Sequence, residues 1–317
     1  MLSQEINKRY YPESYKPGNT PEEFKKLILG CAQGNVTYNS FVIFEDNDPL
    51  AWYDFSSSDG ELYFSFDILS DHISGYVLRT ILEKINGYMI ENNFREIICG
   101  SFRDSINNSL KEINAPVSEE MMRSKLDRVD MDVSFYEKIV KESELYNFNL
   151  LHCNQVPEVH LDKFVDCINV CFADMGAINP HRIEHIPLTT EDWKKDKLAQ
   201  RNNGTTLEIY MLLDSKNEIA GICWVCVDSY RKEIIRHNGG LTAVMPKYRG
   251  LGISRFLKAH QYLRLLKENK DFRSIRTDTM PWNKYMYKIN EEFGFKTYKR
   301  GCSFKLNTDF FRSYLNK

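Results

Sequence analysis

Two stretches of this 317-residue chain run through the same order of predicted elements, and that repetition limits the folds open to it. In the first half, strand-like runs at 40–45, 50–56 and 61–69 follow a helix pattern near 21–33. A long helix pattern at 74–92, a strand at 95–101 and a helix at about 105–114 come next. The second half opens with a helix at 160–175. Strands at 206–213, 218–228 and 234–245 follow, then a helix at 250–268, a strand at 273–279, a helix at 282–293 and final strands at 295–307. Laid over each other at an offset of 176 positions, Ile68 falls on Val244, Val77 on Ile253 and Ile81 on Leu257. One order used twice predicts a duplicated domain with a mixed α/β sheet in each half. The charged stretch 130–147 is the expected linker, giving domains 1–140 and 141–317. Segment 176–203 is long, polar and proline-punctuated, the character of a loop that shapes a site.

Composition removes several alternatives. Apolar residues make up 42% and charged residues 27%, which supplies a real core and excludes disordered, collagen-like and coiled-coil chains. No apolar run approaches the roughly 18 residues of a membrane span, so no membrane partner is expected. The opening residues are too polar for a signal peptide, and a cytoplasmic location is the expectation. The net charge of −2 argues against a nucleic-acid partner. It leaves small anionic ligands open, since these need only a local site. The eight cysteines are scattered and read as reduced, mostly buried thiols.

The most informative stretch is Gly239–Lys258, GGLTAVMPKYRGLGISRFLK. An apolar strand ends at Val244 and Met245, and Pro246 stops ladder pairing. Lys247-Tyr248-Arg249-Gly250-Leu251-Gly252 then feeds a helix with apolar Ile253, Phe256, Leu257 and Leu263. Such a turn aims backbone N–H groups at one place, and the helix dipole adds partial positive charge. Gly250 and Gly252 leave an anion free of Cβ obstruction, and Lys247 and Arg249 add charge. Phosphate or pyrophosphate is the natural guest. A Gly-x-Gly pair also serves as a plain tight turn. No Gly-Lys-Ser/Thr follows, which excludes a Walker loop, and Arg255 stands where a dinucleotide fingerprint has its third glycine.

This stretch resembles the acyl-CoA pyrophosphate loop of the GNAT acetyltransferase superfamily, Gln/Arg-x-x-Gly-x-Gly/Ala after a strand ending Val-x-Pro, with Lys247 in the first position. The likeness continues through IRTDTMPWNKYMYKINEEFGF, where Asn283, Met286, Ile289, Asn290, Gly294 and Phe295 fit in order. It covers roughly residues 150–306 and looks most like the mycothiol synthase-like, tandem type. The resemblance implies two tandem GNAT-like α/β (α+β) domains, each a mixed, mostly antiparallel sheet flanked by helices and splayed between its fourth and fifth strands. Acyl-CoA would sit in the splay. Pyrophosphate would lie on the backbone of Arg249, Gly250, Leu251, Gly252, Ile253 and Ser254. Pantetheine would pair along Leu241, Thr242, Ala243 and Val244, with Asn283 and Met286 at the next helix. The corresponding first-half loop, Ser70 to Tyr76, has Ile73, Ser74 and Tyr76 at the places of Arg249, Gly250 and Gly252, and reads as a degenerate copy.

The resemblance implies transfer of an acetyl group from acetyl-CoA, without a metal, to a primary amine of a small-molecule acceptor, by direct attack in a ternary complex. An ammonium of pKa near 10.4 must first lose a proton, at a cost of about 4–5 kcal/mol at pH 7. A base would help, and the oxyanion needs a donor near Val244. In some members a strand glutamate serves as base. The matching position here is Asn238, with His237 beside it. Many members place a tyrosine acid seven residues after the pantetheine asparagine, and here that position is Asn290, with Tyr287 close by. The catalytic groups therefore stay open among His237, Tyr287 and Asn290. His181, Glu184 and His185 in the long loop are candidate acceptor contacts. The His181/His185 spacing suits a metal only on a helix and lacks a third ligand. Cys223-x-x-Cys226 lies in a strand, where positions three apart face opposite ways. Two other classes remain beside the enzyme: a non-catalytic acyl-CoA sensor or assembly module, favoured by the missing base and acid, and an aminoacyl-tRNA-dependent transferase, disfavoured by the good pyrophosphate loop.

Overall fold

A computed structural model describes residues 37–45, 48–58, 61–68, 74–178, 187–229, 231–269 and 271–316. The expected helix near 21–33 and the candidates His181, Glu184 and His185 lie outside the described residues.

Period-two alternation builds the first elements. β1 (Thr37–Glu45), β2 (Asp48–Ser58) and β3 (Glu61–Ile68) form an antiparallel meander with Phe55 opposite Phe64. Ala51, Tyr53 and Phe55, with Leu62, Phe64 and Phe66, are the buried alternate positions. They pack with helix α1 (Gly75–Glu91), which buries Val77, Leu78, Ile81, Leu82, Ile85 and Met89 at helical spacing. α1 crosses over to β4 (Glu96–Ser101), which lies parallel to β3. Next come α2 (Asp104–Glu112), β5 (Val117–Asp127), α3 (Val133–Glu142) and β6 (Asn149–Cys153). α4 (Glu158–Ile178), α5 (Thr190–Asn202), β7 (Thr205–Leu213), β8 (Ile219–Asp228), β9 (Ile234–Val244) and α6 (Ile253–Glu268) follow. The chain closes with β10 (Ser274–Thr279), α7 (Lys284–Glu292), β11 (Lys296–Asn307) and α8 (Thr308–Leu315).

The contacts divide the chain into two compact units, 1–121 with 300–317, and 122–299. Unit 1 has the strand order β1-β2-β3-β4-β11, with Phe304 opposite Cys99. Unit 2 has the order β5-β10-β9-β8-β7-β6, with Leu126 opposite Ile275. The same crossover recurs in it: β9, helix α6, then β10 parallel to β9. Each unit is thus a mixed, mostly antiparallel sheet flanked by helices. Unit 1 takes its last strand, β11, from the far end of the chain, whereas unit 2 is one continuous segment that begins within β5, so the division differs from a single cut at 140. The linker region 130–147 carries α3, whose Tyr136 is fully buried against Phe293 within unit 2.

Unit 2 has a core on each sheet face. Phe164 and Ile168 of α4 and Trp193 of α5 pack on Leu207, Ile209, Met211 and Trp224. Ile253 and Leu257 of α6 pack on Tyr210, Leu212 and Cys223 of the opposite face. Cys223 and Cys226 accordingly enter different cores, as strand alternation requires. Part of the polar segment 176–203 is α5, started by a capping box between Thr189 and Asp192.

Candidate functional site

The sheet of unit 2 opens between the two strands where the resemblance implies a splay. β10 pairs with β9 only over Ser274–Arg276 against Ile234–Arg236. Beyond that point β10 continues along β5, and β9 continues along β8, with Thr242 opposite Cys223 and Val244 opposite Gly221. The two strands therefore splay, as expected. The register between β8 and β9 shifts between Trp224 and Cys226, where Leu241 and Arg236 are the respective partners. Residues 237–240 form a bulge opposite Val225. Its backbone is held by Trp224 Nε1, which donates to the Gly239 carbonyl at 3.1 Å. A Cβ on Gly240 would come within 2.1 Å of the Trp224 carbonyl oxygen, so only glycine fits there.

β9 ends at Val244, and a 3-10 turn over Pro246–Tyr248 leads to Arg249. The turn is pinned by Tyr248, whose hydroxyl donates to Asp214 at 2.5 Å, and the exposed Lys247 ammonium lies 4.6 Å from the Tyr248 ring centroid. Gly250 and Gly252 have φ of +85° and +76°, values that favour glycine, and a Cβ at either would meet nothing within 4 Å. Gly252 is the N-cap of α6 and provides no side-chain cap. The first N–H groups of this helix have no intrahelical partner, and their mouth is open. Leu251 is exposed, Ser254 half-buried and Ile253 buried beneath them.

Arg249 is already engaged. Its Nη2 pairs with Asp174 of α4 at 2.6 Å and its Nε donates to the Val244 carbonyl at 3.2 Å. Both members of that pair are about half exposed, at 49% and 45%, so the contact is weak enough for a bound anion to compete. The corresponding helix start in unit 1 is closed differently. Ser74 caps α1, its Oγ accepting from Val77 N at 3.2 Å, and Tyr76 stands exposed where Gly252 would be.

Asn283 caps α7, its Oδ1 accepting from Met286 N at 3.2 Å, which orients the amide nitrogen as the donor. Tyr287 is half-buried on this helix. Asn290 is almost fully buried and donates through Nδ2 to Thr279 Oγ1 at 3.0 Å, at the end of β10. His237 begins the bulge, and the irregular register turns it toward α6, where it lies against Tyr262 and 3.9 Å from Cys223 Sγ. Burial, and then the nearby Lys258 charge, hold its pKa well below that of free imidazole. It is a neutral, weakly basic ring.

One residue was passed over in the sequence pattern. Lys258 of α6 is 1% exposed and donates to Asn290 Oδ1 at 3.1 Å. Burial lowers its pKa to about 8, with Cys223 acting in the opposite sense. Cys223 in turn contacts Thr242 Oγ1 at 3.2 Å and donates to Gln261 Oε1 at 3.3 Å. The signal was available: Lys258, Tyr262 and Leu265 share one helical face at i, i+4, i+7, and the other two are buried.

A separate cavity of about 310 Å³ lies between the end of β6, α5 and the start of β7, lined by Trp193, Lys197, Arg201 and Thr205 among others. None of its lining residues belongs to the turn. Among the described residues, no group of three His, Cys, Asp or Glu side chains could hold a metal, and no helix is long and apolar enough to cross a membrane.

No protein-family model matches the sequence, and a search of curated proteins finds no relative. Solved structures do match. A tandem GNAT protein from the clavulanic acid biosynthesis pathway superposes with a TM-score of 0.72 at 12% identity, over 96% of this chain and 94% of that one. A GCN5-related N-acetyltransferase from Sphaerobacter thermophilus gives 0.65 at 14% identity, over 96% and 90%. A glucosamine N-acetyltransferase region of a fungal multi-domain β-N-acetylglucosaminidase gives 0.63 at 10% identity, over 96% of this chain and 36% of that one. The chain has the tandem GNAT fold.

Proposed function

We propose that the protein is an N-acetyltransferase that binds acetyl-CoA in unit 2 and passes the acetyl group to a primary amine of a small-molecule acceptor. One observation carries the reading. Of two corresponding helix starts, α1 is capped by its own serine, while α6 presents uncapped N–H groups behind two positive-φ glycines with open space in front. Pyrophosphate lies on Arg249–Ser254 in this reading, and Arg249 exchanges Asp174 for phosphate. The pantetheine arm follows Thr242, Ala243 and Val244 into the gap between β9 and β10, with Asn283 donating to it. The amine attacks the thioester directly. The acceptor loses its proton to solvent, because His237 is too weak a base to bear it. Unit 1, whose equivalent turn is closed by Ser74, binds no CoA.

The test is calorimetry with acetyl-CoA and 3′-dephospho-CoA, for the wild type, Arg249→Ala and Gly252→Glu. Micromolar binding is expected, weakened about tenfold in Arg249→Ala, the loss of one charge-assisted bond. Gly252→Glu puts a carboxylate against the phosphates and abolishes binding. No binding by the wild type reduces the turn to a turn and removes the enzyme reading. A second reading, a non-catalytic acyl-CoA sensor, is favoured by the burial of both His237 and Asn290. Tight CoA binding without turnover across a broad amine panel selects it.

A further inference from the structure

Among the described residues, Lys258 lacks the carboxylate partner that a buried cation ordinarily has. Its Nζ donates to Asn290 Oδ1 at 3.1 Å and contacts the Tyr262 hydroxyl at 3.4 Å. The rings of Tyr262 and Phe295 stand 5.7 and 5.6 Å from it. Among the described residues, no carboxylate acts on it. The titratable groups around it are Cys223 of β8, His237 of β9 and Tyr262 of its own helix, with Tyr136 of α3 behind Tyr262. All are neutral at physiological pH: burial raises the Cys223 thiol to about 11, lifts both phenols and depresses the imidazole. The charge is therefore uncompensated among the described residues of unit 2.

Its position is specific. Asn290 bonds Thr279, which lies on β10 past the last pair with β9. Cys223 contacts Thr242, which lies on β9 past that same pair. Lys258 thus sits between groups attached to both lips of the splay. It is also five residues into the helix whose N-terminus opens at Gly252. A fixed cation in a low-dielectric site does most for a negative charge that appears only during reaction.

We propose that Lys258 is the charge that stabilises the departing thiolate of CoA, acting through Asn290 as a positioning residue. The inference rests on the acetyl-CoA reading above. As the amine nitrogen forms its bond to the acyl carbon, the C–S bond breaks and its electron pair goes to sulfur. The amine proton goes to water. The thiolate leaves against the Asn290 amide, whose carbonyl is held by the Lys258 ammonium, and the ammonium keeps its own proton.

The test needs no acceptor. CoA with a free thiol is bound to the full chain, and its thiolate absorbance is followed against pH, with the desulfo-CoA complex as baseline. In the wild type the bound thiol titrates at least about tenfold (one pKa unit) more readily than free CoA measured alongside. Lys258→Met returns it to the free value or above, while CoA affinity at a pH where the thiol stays protonated is unchanged within about threefold. Lys258→Arg retains a depressed thiol pKa, which separates charge from packing. Equal thiol pKa values in the wild type and Lys258→Met, with CoA bound to both, overturn this inference and leave the acetyl-CoA reading intact. Failure of the wild type to bind CoA sinks both.

Discussion

At the residue scale, Lys258 makes the sharpest claim because its burial carries a stability cost. Its pKa is about 8 in the folded chain against 10.5 ordinarily. Below pH 8 the group is charged in both states, and the cost of burying that charge is fully present. Between about pH 8 and 10.5 the unfolded chain binds the proton and the folded chain has lost it, so stability rises with pH. At 1.36 kcal/mol per unit, the gain across that window is about 3 kcal/mol. Lys258→Met lacks this contribution. Its stability relative to the wild type is therefore about 3 kcal/mol more favourable at pH 7 than near pH 10.5. Urea denaturation of both proteins at the two pH values measures the difference. A difference independent of pH would mean that Lys258 is not buried as a cation. The orphaned Asn290 carbonyl costs the variant roughly 1–3 kcal/mol, but equally at both pH values, so the comparison survives it. His237, by contrast, shows how a residue adjacent to the right position loses its role: the bulge that brings it inward also strips it of water and basicity.

At the element scale, β9 and the turn after it use glycine for opposite reasons. Gly240 is required because the Trp224 backbone stands where a Cβ would go, whereas Gly250 and Gly252 have open space and only a positive φ. Gly252→Ala should therefore cost about 1–2 kcal/mol, the left-handed penalty alone. Gly240→Ala must push two backbones apart and should cost clearly more, with chemical denaturation giving the order. An equal or reversed order would mean that the bulge is plastic. The strand, turn and α6 were legible because their signals are local: a proline stop, two glycines and an apolar period. The splay itself entered only through family likeness, since no local pattern records where β10 leaves β9. α5 was hidden because only Trp193 of its residues is buried, so no apolar stripe marks it. β5 was passed over although Met122, Ser124 and Leu126 alternate, because charged and polar neighbours interrupt the run. Lys258 was passed over because a lysine beside an apolar stripe is ordinarily read as solvent-facing.

At the scale of the whole molecule, the duplication was legible but the division was not, because the division depends on long-range pairing. β11 follows unit 2 in sequence, yet Phe304 and Leu306, both fully buried, belong to the core that holds Phe55, Phe64, Ile81 and Ile97. β5 precedes the expected cut at 140, yet Leu126 packs with Ile235, Tyr262 and Ile275. Each half of the chain thus supplies a strand to the sheet of the other half. A single cut at 140 would assign Phe304 to the stability of the second unit; the contacts assign it to the first. Phe304→Ala removes a fully buried ring and should cost about 3–5 kcal/mol. The loss should fall on unit 1. Hydrogen exchange followed by peptide is expected to accelerate in β2, β3, β4 and α1, and to stay near wild-type rates in β7, β8 and α6. Acceleration confined to β7, β8 and α6 would restore the cut at 140. Acceleration everywhere would mean that the two units unfold as one, and that a stability change in the closed copy reaches the open one.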